Sequence, residues 1–318
     1  MARHFFDKPQ RGVTPVGGTV ITDVQLALND AGAGNLVTDG LYGGHTADAL
    51  ETFQRSKGVP VDGNVTDATW TALMRSDAPA IFDRCLQVTA SFEGTGFTLV
   101  VGNFDGAGIT WGIVGFTLRD GELGEVLRAV NRTYPHLVSR AFGRDADLVM
   151  EMTGPNTSRD KKLAWADTIS RGKQKYSVAE PWKTYFHDFG SYREVQLAQL
   201  ARARDVYWKI ATRNAAALGF DEELDLLLLY DVAVQNGGMD SKNRLEKAQA
   251  AIQRQRPRTQ QGKRKIVATV VADTASARYR QDVLDRKTVI ATGKGIVHGA
   301  KYDLSGWGLL DGEKAPAA

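Results

Sequence analysis

Apolar residues recur along most of this chain at helical spacing, and in two short stretches they crowd together as in strands. Over residues 79–92, Ile81, Cys85, Val88 and Phe92 make one stripe, and Phe82 and Leu86 continue the adjacent one up to Glu93. Leu200, Ala203, Tyr207, Ala211 and Ala215, at steps of three and four, mark a long amphipathic helix. Residues 224–234 are apolar apart from Asp225, Tyr230 and Asp231, the pattern of a helix buried on all sides. Residues 97–101 and 109–116 instead read as β, joined by the glycine-rich turn 102–108. The expectation is a mainly α domain with one small β element near its start.

The residues before it repeat. Asp39-Gly40 is followed by Thr46 and Ala49-Leu50, and Asp62-Gly63 by Thr69 and Ala72-Leu73 at the same offsets. Each unit reads as a tight Asp-Gly turn feeding a short amphipathic helix. Gly58 stands where a helix C-terminal glycine belongs. A further helix is expected at about residues 23–31, which makes a small three-helix module over residues 20–76. Residues 1–19, with Pro9, Pro15 and Gly17-Gly18, read as a lead-in arm. The boundary falls at Ser76-Asp77-Ala78-Pro79, and the second domain covers residues 79–312.

Composition narrows the function classes. At 318 residues, 42% hydrophobic and 24% charged, the chain is an ordinary globular protein of two domains. No apolar run reaches membrane-spanning length, and residues 1–9 show no signal-peptide core. A net charge of +3 is too small to argue for nucleic acid. The single cysteine, Cys85, excludes an intrachain disulfide and lies on an apolar stripe, so it reads as core. The five histidines show no zinc-binding spacing, and no Gly-x-Ser-x-Gly elbow or phosphate loop is present. The basic run Arg254, Arg256 and Arg258 with Lys263-Arg264-Lys265 reads as a solvated face.

What remains is a pair of carboxyl groups. Glu93 closes a helix beside Phe92, and Asp105 sits in the glycine-rich turn between two β segments. Hydrolysis of a glycosidic bond needs two such groups, one to protonate the leaving oxygen and one to activate water or attack carbon. Asp231, inside an apolar helix, needs a buried partner, because an unpaired charge there is costly.

Two resemblances sharpen this. Val24-Gln25-Leu26, Asp39-Gly40-Leu41-Tyr42-Gly43 with Thr46, Phe53-Gln54, Val61-Asp62-Gly63 and Thr69-Trp70 resemble the three-helix peptidoglycan-binding domain of bacterial wall hydrolases. Asp39, Tyr42 and Asp62 are the candidates for its binding face. Residues 105–116, from Asp105-Gly106-Ala107-Gly108-Ile109-Thr110 onward, resemble the chitosanases of glycoside hydrolase family 46. So do Arg204-Asp205-Val206-Tyr207-Trp208 and the segment from Leu229-Tyr230-Asp231 to Gly237-Gly238. That resemblance implies a lysozyme-like α+β fold, Glu93 as general acid, Asp105 as general base and Thr110 as holder of the attacking water. It implies sugar contacts at Glu122 and at Asn236, where histidine fits the family pattern. It also implies Arg280 as the partner through which Asp231 orients Glu93. The step from Glu93 to Asp105 is shorter than in that family.

Together these features imply a modular hydrolase of the bacteriophage endolysin type. It is expected to cut the peptidoglycan glycan strand at the N-acetylmuramic acid β-1,4 linkage, by an inverting route. The expected partner is peptidoglycan, without cofactor, metal, nucleic acid or membrane insertion, and the chain is expected to act as a monomer. It would be stored in the cytoplasm until release at lysis. An injected antibacterial effector, a true chitosanase and a non-catalytic wall-binding protein are the alternatives.

Overall fold

The structure, a computed structural model, describes residues 3–93 and 96–316, with Glu93 described by its backbone alone. Strand β1 (His4–Phe6) is followed by helices α1 (Thr19–Asp30) and α2 (Gly44–Lys57), strand β2 (Val65–Thr66) and helix α3 (Asp67–Met74). Helix α4 (Ile81–Glu93) precedes strands β3 (Val100–Val101), β4 (Thr110–Trp111) and β5 (Phe116–Thr117). Helices α5 (Glu122–Thr133), α6 (Pro135–Phe142), α7 (Ala146–Met152) and α8 (Arg159–Ile169) come next. They lead to the hairpin of β6 (Ser170–Arg171) and β7 (Ser177–Val178), then α9 (Trp182–Ser191) and α10 (Arg193–Ala203). The remainder is α11 (Lys209–Leu218), α12 (Glu223–Asn236), α13 (Arg244–Gln255), α14 (Gln260–Asp273), α15 (Arg280–Thr292) and the hairpin of β8 (Lys294–Val297) and β9 (Ala300–Asp303). The fold is mainly α with small sheets. No helix among the described residues is long and apolar enough to cross a membrane.

The chain forms two compact units, Met1–Phe92 with Tyr207–Ala318, and Glu93–Val206. In the first unit, helix α1 begins at Thr19, earlier than the apolar pattern suggested, and α2 ends on Gly58 at φ +67°. The first residues are more than an arm. β1 pairs with β2, Phe5 and Phe6 are buried, and Phe5 meets Trp70 edge-on at 6.0 Å.

Helix α12 is the axis of this unit and is buried from Glu223 to Ala233. A helix with no solvent face must neutralise any charge it carries. Each of its three core acids meets an arginine from elsewhere. Glu223 takes Arg84 at 2.9 Å and also Arg3, Asp225 takes Arg264 at 2.9 Å, and Asp231 takes Arg286 at 2.5 Å. Arg264, expected on a solvated face, is therefore fully buried, held also by Glu222 at 2.8 Å and by Asp311. Cys85 is buried, and burial pushes its thiol pKa well up, so it is core rather than nucleophile.

The second unit packs α5, α6, α9 and α10 around an aromatic core of Trp111, Phe142, Phe186 and Phe189. Helix α5 turns Leu123, Val126, Leu127 and Val130 inward. β3, β4 and β5 form an antiparallel sheet in chain order, with Val101 opposite Thr110 and Thr110 opposite Thr117. The strands are far shorter than the apolar runs of the sequence, because glycines at 102, 106, 108, 112 and 115 interrupt them.

Candidate functional site

Asp105 lies at the tip of the β3–β4 connection, exposed to solvent. Its Oδ1 accepts the Ala107 N–H at 2.9 Å, and Gly106 takes φ +81°, a turn that aspartate and glycine favour together. The loop is fixed from inside. Asn103 Oδ1 accepts the Gly108 N–H at 2.8 Å, while its Nδ2 donates to Asp167 at 2.7 Å. Gly108, at φ +79°, lies so close to Leu118 that an added Cβ would stand 3.1 Å from the leucine Cβ. Below the loop, Trp111 is wholly buried and donates its indole N–H to the Phe186 carbonyl at 3.0 Å. A carboxylate so mounted keeps one oxygen for chemistry while the other is pinned to its own backbone.

Thr110 is half-buried on β4, in the strand that leaves this loop. Glu93 is the last residue of α4, and its side chain, like Gly94 and Thr95, lies outside the described residues. Glu122 is the first residue of α5 and pairs with Arg202 at 2.5 Å. The sugar-contacting position expected there is thus held in an ion pair at a helix N-terminus, where a negative charge is favoured.

In the first unit, the buried acid expected to pair with Arg280 does not. Arg280 is the first residue of α15, partly exposed, and pairs with Asp273 at 2.7 Å. Asp231 is held from six and seven residues further on, by Arg286 Nη2 at 2.5 Å and by Lys287. Arg280 and Arg286 stand six residues apart on α15, about 120° apart around the helix, so they face different sides. Arg280 and Gln281 at the helix start are exposed, whereas Arg286 and Lys287 in its middle are buried, and the middle supplies the partner. Burial pushes the Asp231 carboxyl up, but Arg286 and Lys287 outweigh it and bring it to about 2. Lys287 also donates to Gln235 at 2.7 Å, and the Arg286 guanidinium lies 5.2 Å over the ring of Phe92, the residue before Glu93. Asn236 closes α12, and its Oδ1 is buried with no partner among the described residues.

The module candidates resolve differently. Tyr42 is fully buried and donates its hydroxyl to the Gly63 carbonyl, so it is core and not a binding-face residue. Asp39 and Asp62 are exposed, but each is tied into its turn by a buried glutamine. Gln25 Nε2 donates to Asp39 at 2.9 Å and to Thr46 at 3.1 Å, and its Oε1 accepts the Gly40 N–H at 2.9 Å. Gln54 repeats this with Asp62 at 3.1 Å, Thr69 at 3.1 Å and the Gly63 N–H at 3.0 Å. The offset repeat in the sequence is the trace of this double brace. Both glutamines stood in the family-like pattern, but their bracing role escaped the sequence reading, as did Arg286 and Lys287. Their signal was a polar residue on an otherwise apolar helical face.

No curated protein matches the sequence. Among solved structures, the family 46 chitosanase of Gynuella sunshinyii in complex with chitotetraose is similar at 16% identity and a TM-score of 0.49, over 71% of this chain and 98% of that one. The native chitosanase of Bacillus subtilis MY002 is similar at 18% identity and a TM-score of 0.45, over 66% of this chain and 86% of that one. Residues 17–73, the stretch that carries both glutamine-braced turns, match the family described as "Putative peptidoglycan binding domain".

Proposed function

We propose that this protein is a glycoside hydrolase that cuts the glycan strand of peptidoglycan, anchored to the wall by residues 17–73. The observation that carries the reading is Asp105, an exposed carboxylate on a braced loop, with one oxygen engaged by its own turn. In this reading Asp105 is the general base, Thr110 on the departing strand holds the water, and Glu93 at the end of α4 protonates the leaving oxygen. A fixed loop suits a general base, because water must be held in line while its proton leaves. The route would be inverting, which requires carboxyl groups about 6.5–9.5 Å apart with water between them. Asp231, clamped by Arg286 and Lys287, is a positioning residue for the end of α4, through the guanidinium that covers Phe92. An intracellular store released at lysis, as in phage endolysins, remains the biological setting that fits this chemistry.

The test is digestion of purified sacculi by the full chain, with mass spectrometry of the released reducing ends. Muramic acid ends support the reading, and Glu93→Gln should lower the rate by about 10²–10⁴-fold. Release of oligomers from chitosan, with sacculi untouched, would assign the other substrate.

A further inference from the structure

Phe104 and Tyr176 are large aromatic residues left in solvent, 46% and 57% exposed, on two different loops of the second unit. Their ring centroids stand 5.2 Å apart, tilted by 54°. Phe104 immediately precedes Asp105, and Tyr176 closes the tip of the β6–β7 hairpin. The two loops are joined through backbone. The Gly102 N–H donates to the Tyr176 carbonyl at 2.8 Å, and the Asn103 N–H donates to Ser170 Oγ at 2.9 Å. Gly102 permits this approach, since an added Cβ would stand 2.4 Å from the Lys175 carbonyl oxygen. Two apolar rings are thus held in fixed relation to the candidate base without being covered by the protein.

The hairpin around Tyr176 is cationic. Residues 167–176 carry Arg171, Lys173 and Lys175 against one carboxylate, Asp167. Asp167 is engaged by Lys175 at 2.8 Å and by Asn103. Arg171 donates to the Thr168 and Ser170 carbonyls at 2.7 and 2.9 Å and has no ion pair among the described residues. Lys173 is exposed and has no ion pair among the described residues.

We propose that Phe104 and Tyr176 form a sugar-stacking subsite beside Asp105, and that Arg171 and Lys173 make it selective for N-acetylated glycan bearing carboxylate substituents. The proposal rests on the reading of Asp105 as the base of a glycan hydrolase. The C–H face of a pyranose carries slight positive charge and packs on the electron-rich face of an aromatic ring. Preformed rings take it up with little loss of side-chain freedom. The acetamido group adds apolar surface, and the lactyl or peptide carboxylates of a wall glycan meet the cationic hairpin. A polyglucosamine strand, cationic at every residue, would be repelled by the same hairpin.

The full chain carrying Asp105→Asn, labelled with fluorotyrosine, is titrated while ¹⁹F NMR follows the Tyr176 resonance, assigned by its loss in Tyr176→Phe. This signal is local, so glycan held by the N-terminal module does not imitate it. The probes are a soluble carboxylate-bearing glycan fragment from peptidoglycan, an N-acetylglucosamine oligomer and a glucosamine oligomer of equal length. Both N-acetylated probes should shift the resonance, and Phe104→Ala should weaken each by about 10-fold, the loss of one stacked ring. Lys173→Glu should weaken the carboxylate-bearing probe about threefold more than the neutral one, an effect that fades with salt. A resonance that moves with neither N-acetylated probe, or affinities unchanged by Phe104→Ala, overturns the subsite. An equal response to the glucosamine oligomer overturns its selectivity. Digestion of sacculi by the unsubstituted chain is run alongside. Cleavage with a motionless resonance fails the subsite alone, and a shifting resonance without cleavage of any glycan fails the catalytic reading alone.

Discussion

Asp39, Asp62 and Asp105 each precede a glycine at positive φ, and each accepts the N–H two residues ahead at 2.9 Å. The three turns differ in what lies beneath. In the module a buried glutamine reaches up to the aspartate oxygen and to the glycine N–H, so the carboxylate becomes a rivet of the fold. Among the described residues no glutamine bonds to Asp105. The brace comes from Asn103, which bonds to Gly108 and to Asp167 and leaves the aspartate alone. One local sequence therefore yields two outcomes, and the difference is set by a side chain outside the dipeptide. The lesson is that an Asp-Gly pair marks a turn, whereas availability for chemistry depends on whether another residue has already claimed the carboxylate.

The contrast predicts opposite failures for the same substitution. Asp105→Asn should cut glycan hydrolysis by about 10²–10⁴-fold with no change in melting temperature. A melting loss like that of Asp39→Asn would show that the three turns are alike after all. Gln54→Ala removes the hub of one module turn and strands several buried groups. It should cost about 3 kcal/mol in denaturant unfolding while leaving cleavage of short soluble fragments intact.

The next effect comes from Asp231, which contrasts with Asp105 in being wholly enclosed. Its carboxyl is brought from the ordinary 3.8 to about 2 in the folded chain, burial being outweighed by Arg286 and Lys287. The folded value lies below the unfolded one, so its contribution is complete above the ordinary value and is lost as pH falls through about 2. About 2 kcal/mol of stability should disappear across that window. In Asp231→Asn, less stable throughout, the acid limb of the curve should be shallower. The smallest effect is Asp62→Ala, about 1 kcal/mol, since Gln54 keeps its bonds to Thr69 and to the Asn64 carbonyl. A loss as large as that of Gln54→Ala would make the aspartate, rather than the glutamine, the hub.

The helices and the module were legible because their signals are local. Stripes at steps of three and four predicted α4 and the helical run through residues 200–215, a continuous apolar run predicted α12, and the Asp-Gly offsets exposed the repeat. That helical run proved to carry a π-helical turn, Arg204–Trp208, between α10 and α11, which periodicity alone does not reveal. Asp105 stood out because glycines isolate it. Partners were harder to read. The family resemblance offered Arg280 to Asp231, whereas the buried middle of α15 supplies Arg286 and Lys287. Tyr42 lay in a family-like turn and looked available for ligand, yet its hydroxyl closes on Gly63, 21 residues away. The exposed pair Phe104 and Tyr176 joins loops 72 residues apart in sequence, which no periodic pattern reports.

The clasp of Arg3 and Arg84 on Glu223 bears on how such a chain can be recombined. The family match begins at residue 17, yet Arg3 reaches a carboxylate of α12 that is sealed from water, and Phe5 and Phe6 fill the same unit. A gene fragment cut at the family boundary would carry the glutamine-braced turns but abandon these residues. Among the described residues it would leave Glu223 with Arg84 as its ion-pair partner. The transferable cassette is thus longer than the motif that identifies it, and module swaps in this protein should carry the residues from Arg3 onward.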